Sequence, residues 1–210
     1  MNELITKADD ESPIDLVIAN AAVMIPDCGR TEDIATVTTE IFSTNVDGVF
    51  NTIFPLLSRM QARRAGQIGI VSSTAGLCSE PMNPLYSSSK VAVMSYGEAL
   101  RWIMRDYNVF VSVIVPAAVD TPMTNVPIIR NMPGHFATPE DMARVIRKGL
   151  QRDYMHIAYT AMDYWTCCVM MRDVPAAARD FYFRLLLPLV KKSGNYLIEF
   201  HPAPKESHVC

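Results

Sequence analysis

The chain has 210 residues, half of them apolar, with 19 basic against 22 acidic side chains and a formal net charge of −3. That length fits one domain with ample material for a buried core. The dispersed cations, with Arg63 and Arg64 the only early pair, argue against a nucleic-acid partner. Five cysteines, odd in number and without zinc-ligand spacing, suit a reducing compartment, so a cytoplasmic location is expected and no metal site.

Met1 to Ser12 reads as a polar lead-in. Ile14, Leu16, Val17 and Ile18 then form a nearly continuous apolar run, which predicts a strand at about 15–21 covered on both faces. Helical periodicity follows at about 36–62 and a strand at about 67–72, which opens into the small-residue turn Thr74-Ala75-Gly76. A helix at about 84–107 and a strand at about 109–115 come next. Thr138 as cap, Pro139 at the first position and the acids Glu140 and Asp141 start a helix at about 138–152. A short strand at about 154–159 and helices at about 161–172 and 175–192 complete the chain.

Four strands alternating with helices imply a parallel sheet with right-handed crossovers, its first strand at an edge where it can template association. Residues 13–160 form this α/β unit, and residues 161–210 are an apolar helical extension with a polar tail. Adjacent Cys167 and Cys168 read as buried thiols in an apolar helix. Met162 to Met171 and Phe181 to Val190 are rich in aromatic, sulfur and branched side chains. They suit core and subunit packing, or docking on a membrane surface; the second run is too short to span a bilayer.

Tyr86 and Lys90 lie four residues apart in a segment with helical apolar spacing, so they sit one above the other on one face. A free phenol ionises near pH ~10, and an ammonium one turn away favours the phenolate, as proton exchange near neutrality requires. Ser72 and Ser73 end the apolar run Gly66 to Val71 upstream. Ligands of open α/β sheets gather outside the carboxyl ends of strands, where a strand-terminal serine can meet a helical tyrosine and lysine. Ser73 is the preferred serine and Ser72 the alternative.

These residues resemble those of the short-chain dehydrogenase/reductase family. Asp15-Leu16-Val17-Ile18-Ala19-Asn20-Ala21-Ala22 resembles the family's strand ending in Asn-Asn-Ala-Gly, and Phe42-Ser43-Thr44-Asn45-Val46 its helical asparagine. Val113 to Thr121, through Pro116, resembles its Pro-Gly-x-Val-x-Thr strand end. The similarity spans roughly residues 13 to 125. It implies a partial Rossmann-type doubly wound sheet, strands four to seven of the family order, and oxidoreduction of carbonyl and hydroxyl groups with NAD or NADP. By resemblance, Ser73 hydrogen-bonds the substrate oxygen, Tyr86 exchanges the proton, Lys90 lowers the tyrosine pKa and contacts the nicotinamide ribose, and Asn45 holds a relay water. Asn20, Pro116, Val119 and Thr121 line the cofactor, with Thr121 also suited to capping a helix before Pro122. The region from Pro122 to Phe136 corresponds to a variable lid, whose Met123, Val126, Ile128, Ile129 and Met132 suggest an apolar substrate. Self-association through the helices at about 36–62 and 84–107 is also implied.

The family's glycine-rich phosphate turn has no counterpart among the nine scattered glycines. The expectation is a truncated member lacking about 80 residues of the nucleotide-binding half, whether through an incomplete gene model, a splice form or a cofactor-free remnant. Ala19, Ala22 and Ala117 also replace an Asn and two Gly of the motifs. Low or no activity is expected of the polypeptide as written. An inactive partner subunit joined to a full-length paralogue and a membrane-surface protein led by its tail are the two other classes of reading.

Overall fold

The computed structural model describes residues 2–24, 33–78, 83–125 and 136–168, with isolated positions at 130 and between 175 and 185. The predicted alternation resolves into a four-stranded parallel sheet in sequence order. Its strands are β1 (Leu16–Ala19), β2 (Gly66–Val71), β3 (Val109–Val115) and β4 (His156–Ala158). Leu16 pairs with Gln67, Gly66 with Val109 and Val113 with His156, so the carboxyl ends of all four strands point the same way.

The helices are α1 (Asn2–Glu11), α2 (Ile34–Phe42), α3 (Gly48–Arg63), α4 (Pro84–Arg105), α5 (Pro139–Gln151) and α6 (Ala161–Cys167). The period-2 alternation of β2 and β3 sends Ile68, Ile70, Val109 and Val111 into one core with Ile53, Leu56, Met60, Val93, Leu100 and Met104 of α3 and α4. Ile114 and Ile157 face the opposite way, onto Met142 and Leu150 of α5. Helix α4 lies close to the sheet because Gly97 has no side chain: a Cβ there would stand 2.7 Å from Val113 Cγ2.

Three expectations are refined. The helix at about 36–62 starts at Ile34, where Asp33 accepts the N–H groups of Ala35 and Thr36, and a π-helical turn at Ser43–Asp47 separates α2 from α3. The polar lead-in, for which the sequence gives no element, is helix α1. It is tied down by Asp9, whose buried carboxylate accepts Ile14 N–H at 2.8 Å, Arg63 Nη1 at 3.0 Å and Arg59 Nη1 at 3.1 Å. Strand β1 is covered on one face only: Ala19 packs into the core with Val17 beside it, while Leu16 and Ile18 remain 44% and 40% exposed. The apolar run there reflects a sheet face with no helix over it among the described residues.

Helix α5 begins as its sequence dictates, with Thr138 Oγ1 accepting Asp141 N–H at 3.1 Å. Cys168 is a free thiol but only partly buried, short of the burial expected, and the side chain of Cys167 lies outside the described residues. Most of the lid from Pro122 to Phe136 and of the helices at about 175–192 falls outside the described residues. Among the described residues no helix is long and apolar enough to cross a membrane.

Candidate active site

At the carboxyl end of β2 the chain must leave the sheet, and Ser72-Ser73 does so through a single 3-10 turn, Thr74–Gly76. The two serines part company here. Ser72 is buried and its hydroxyl donates to the Lys90 carbonyl at 2.8 Å, a structural tie between β2 and α4. Ser73 is partly exposed, with an extended backbone, and its Oγ accepts Ala75 N–H at 3.2 Å. Ser73, the preferred candidate, is thus the more accessible of the two serines.

Helix α4 starts immediately beyond, with Asn83 Oδ1 accepting Tyr86 N–H at 3.3 Å and Pro84 at its first position. The i,i+4 spacing brings Lys90 Nζ 5.6 Å from the centroid of the Tyr86 ring. Lys90 is only 1% exposed, and its ammonium donates to the Val71 carbonyl at 3.0 Å. Burial lowers its pKa to about 8. A strand-end carbonyl thus holds a desolvated cation over the Tyr86 ring.

Asn45 sits in the π-helical turn, fully buried. Its Oδ1 accepts Val23 N–H at 2.7 Å, while Nδ2 donates to the Val23 carbonyl at 2.9 Å and to Ser89 Oγ at 3.0 Å. Both amide hydrogens are engaged, so the side chain joins the segment after β1 to helix α4 and has no N–H left for a relay water. Ser89 extends the chain by donating to the Tyr86 carbonyl at 2.7 Å. Sequence reasoning missed Ser89 and Val23; the only signal was the position of Ser89 three residues after Tyr86 on the same side of the helix.

The remaining predicted residues ring the same strand ends. Asn20 lies exposed just past β1. Pro116 follows β3, and its carbonyl accepts Thr74 N–H at 3.0 Å, which fixes the Ser73 turn to this segment. Val119 makes an isolated parallel bridge to Ala137, reinforced by Asp120 N–H to the Ala137 carbonyl at 2.9 Å. Thr121 precedes a one-turn 3-10 helix, Pro122–Thr124, and its N–H donates to Thr124 Oγ1 at 3.1 Å, so the expected helix start is present.

A parallel α/β sheet in sequence order, with helices packed on its faces, defines the Rossmann-type fold class. Comparison with known proteins narrows this. A family model for short chain dehydrogenase matches residues 1–128, and the chain belongs to that family. Bovine retinol dehydrogenase 8 is 31% identical over 109 residues, 51% of this chain and 34% of that protein. Bovine 3-ketodihydrosphingosine reductase is 34% identical over 111 residues, 52% of this chain and 33% of its own length. The 3-oxoacyl-[acyl-carrier-protein] reductase of Aggregatibacter actinomycetemcomitans is 29% identical over 113 residues, 50% of this chain and 47% of that one. The matches thus span about a third to a half of these relatives' length. The fold is shared with a short-chain dehydrogenase from Sphingobium yanoikuyae solved in complex with NADPH, at a TM-score of 0.67 and 15% identity over 97% of this chain and 73% of that one. A Brucella melitensis 3-oxoacyl-[acyl-carrier protein] reductase with bound NAD gives 0.61 and 22%, covering 77% and 69%.

Proposed function

We propose that this chain carries the proton-transfer and nicotinamide end of an NAD(P)-dependent oxidoreductase acting on carbonyl and hydroxyl groups, with an apolar substrate. The observation that carries the reading is the buried Lys90 ammonium, lowered to a pKa of about 8 and stacked on Tyr86 beside the Ser73 turn. The donor set fits the nicotinamide-ribose half of such a cofactor: an exposed Asn20 amide past β1, the Thr121 hydroxyl after β3, and the Tyr86 hydroxyl and Lys90 cation of α4. When bound, the cofactor supplies a hydride to the carbonyl carbon. Ser73 hydrogen-bonds the carbonyl oxygen, and the Tyr86 hydroxyl delivers its proton to that oxygen. Lys90 stabilises the phenolate left behind, and Asn45 with Ser89 holds the Tyr86 turn in place.

The apolar preference is supported by the exposed Met123 in the segment that resembles the family's lid, and by the names of two relatives, a retinol dehydrogenase and a ketodihydrosphingosine reductase. The exposed Phe54 of α3 and Trp102 and Ile103 of α4 suit pairing of two chains through these helices. Steady-state reduction of apolar ketones with NADPH and NADH tests the reading. Replacing Tyr86→Phe should lower the rate by about 100-fold or more; an unchanged rate contradicts it.

A further inference from the structure

Further along helix α4, Met94 and Glu98 continue the i,i+4 row begun by Tyr86 and Lys90, with Arg101 beside them, and this row runs toward the last strand. Each meets a different part of the C-terminal region. Arg101 forms a two-pronged pair with Asp153 at 2.6 and 2.8 Å, on the turn before β4. Glu98 Oε1 lies 2.9 Å from Nε2 of His156, the first residue of β4. Met94 packs with Leu77, Val113 and Val115 in a cluster joined by Tyr164 and Cys168. Tyr164, on α6, places its hydroxyl 2.6 Å from His156 Nδ1.

The chemistry of this row is directional. A carboxylate accepts, so the tautomer of a neutral imidazole that suits Glu98 carries its proton on Nε2 and turns the Nδ1 lone pair to the Tyr164 O–H. The short helix α6, which is seven residues long, is thereby joined by a charge-assisted chain to the middle of α4. Helix α6 in turn packs against the Thr74–Gly76 turn and on Leu77, and Ser73 caps that turn. The turn is gripped from its other side by Lys90: a Cβ on Gly76 would stand 3.0 Å from the Lys90 carbonyl oxygen. Ser73 therefore hangs from a segment clamped between α4 and α6.

We propose that Glu98, His156 and Tyr164 are positioning residues that hold helix α6 as the outer wall of the Ser73 turn, and so fix the serine hydroxyl and the substrate side of the site. The inference rests on reading Ser73 and Tyr86 as the reacting pair. Its test does not require turnover. Trp165 is 62% exposed and lies edge-on to Tyr164 at 6.2 Å between ring centroids, so in a Trp102→Phe background its emission anisotropy, rather than its wavelength, reports the seating of α6. The amides of Thr74 and Gly76 bond to the carbonyls of Pro116 and Ser73, so their hydrogen exchange reports the turn.

In the full chain, Tyr164→Phe and His156→Leu should lower the Trp165 emission anisotropy and speed exchange at Thr74 and Gly76 about tenfold, the equivalent of one good hydrogen bond. His156→Asn keeps an acceptor for Tyr164 and should restore most of both signals, which separates the hydrogen bond from general damage to β4. Where the parent chain turns over, KM for an apolar ketone should rise about tenfold in Tyr164→Phe with a smaller change in kcat. Unaltered anisotropy, or altered anisotropy with unaltered exchange at the Ser73 turn, overturns the proposal. A parent chain without NAD(P)H-dependent turnover counts against the oxidoreductase reading alone, because anisotropy and exchange still decide whether the wall is held in this way.

Discussion

Lys90 is where electrostatics and function conflict most openly. A lysine with 1% exposure and a pKa of about 8 is destabilising at neutral pH by about 3 kcal/mol, because the folded state must desolvate a charge that water holds freely. The penalty is fully present below the folded pKa of about 8. It is relieved as pH rises toward 10.5, where the unfolded chain also loses its proton, so this group makes stability rise with pH across that window. Lys90→Met should therefore stabilise the chain by about 1–3 kcal/mol near neutrality, with the gain shrinking at pH 10, as urea unfolding at both values would measure. A gain independent of pH would remove desolvation as its cause. The Tyr86–Lys90 pair was legible in the sequence because helical geometry alone fixes i and i+4 as neighbours. The partners of Asn45 were not, since Val23 lies 22 residues before it and Ser89 44 after, distances set only by the folded sheet.

Among the elements, α1 shows how a polar helix is held by a single buried group. Burial would raise the Asp9 pKa, but hydrogen bonds from Ile14 N–H, Arg63 and Arg59 more than offset this and hold it below the ordinary carboxylate value. The contribution is present above the unfolded pKa of 3.8 and is lost as pH falls through the lower folded value. Asp9→Asn keeps the shape and loses the charge, and should cost about 2–4 kcal/mol at neutral pH, with the difference from wild type closing in acid. Equal unfolding midpoints at neutral pH would mean that α1 is held by Ile5 and its apolar neighbours alone. The strands and long helices were readable because each buries a periodic apolar face. Helix α1 was not, because its anchor is an ion pair between segments 50 residues apart.

At the scale of the whole molecule, the parallel order of the sheet followed from the alternation of elements and the handedness of crossovers. What lies over the outer face of β1 did not, because a continuous apolar run reads the same whether or not a helix covers it. Leu16 and Ile18 stand exposed on a strand whose outer edge is unpaired among the described residues. Ile18→Lys should reduce self-association in sedimentation velocity by disfavouring edge contact, and an unchanged distribution would assign association to the α3 and α4 faces instead. The central claim concerns the other end of the sheet, and calorimetric titration of the folded chain with NADPH and NADH tests it most directly. The account predicts measurable binding of at least one of them that disappears in Lys90→Ala. No binding by the folded chain, or binding indifferent to that substitution, would contradict it.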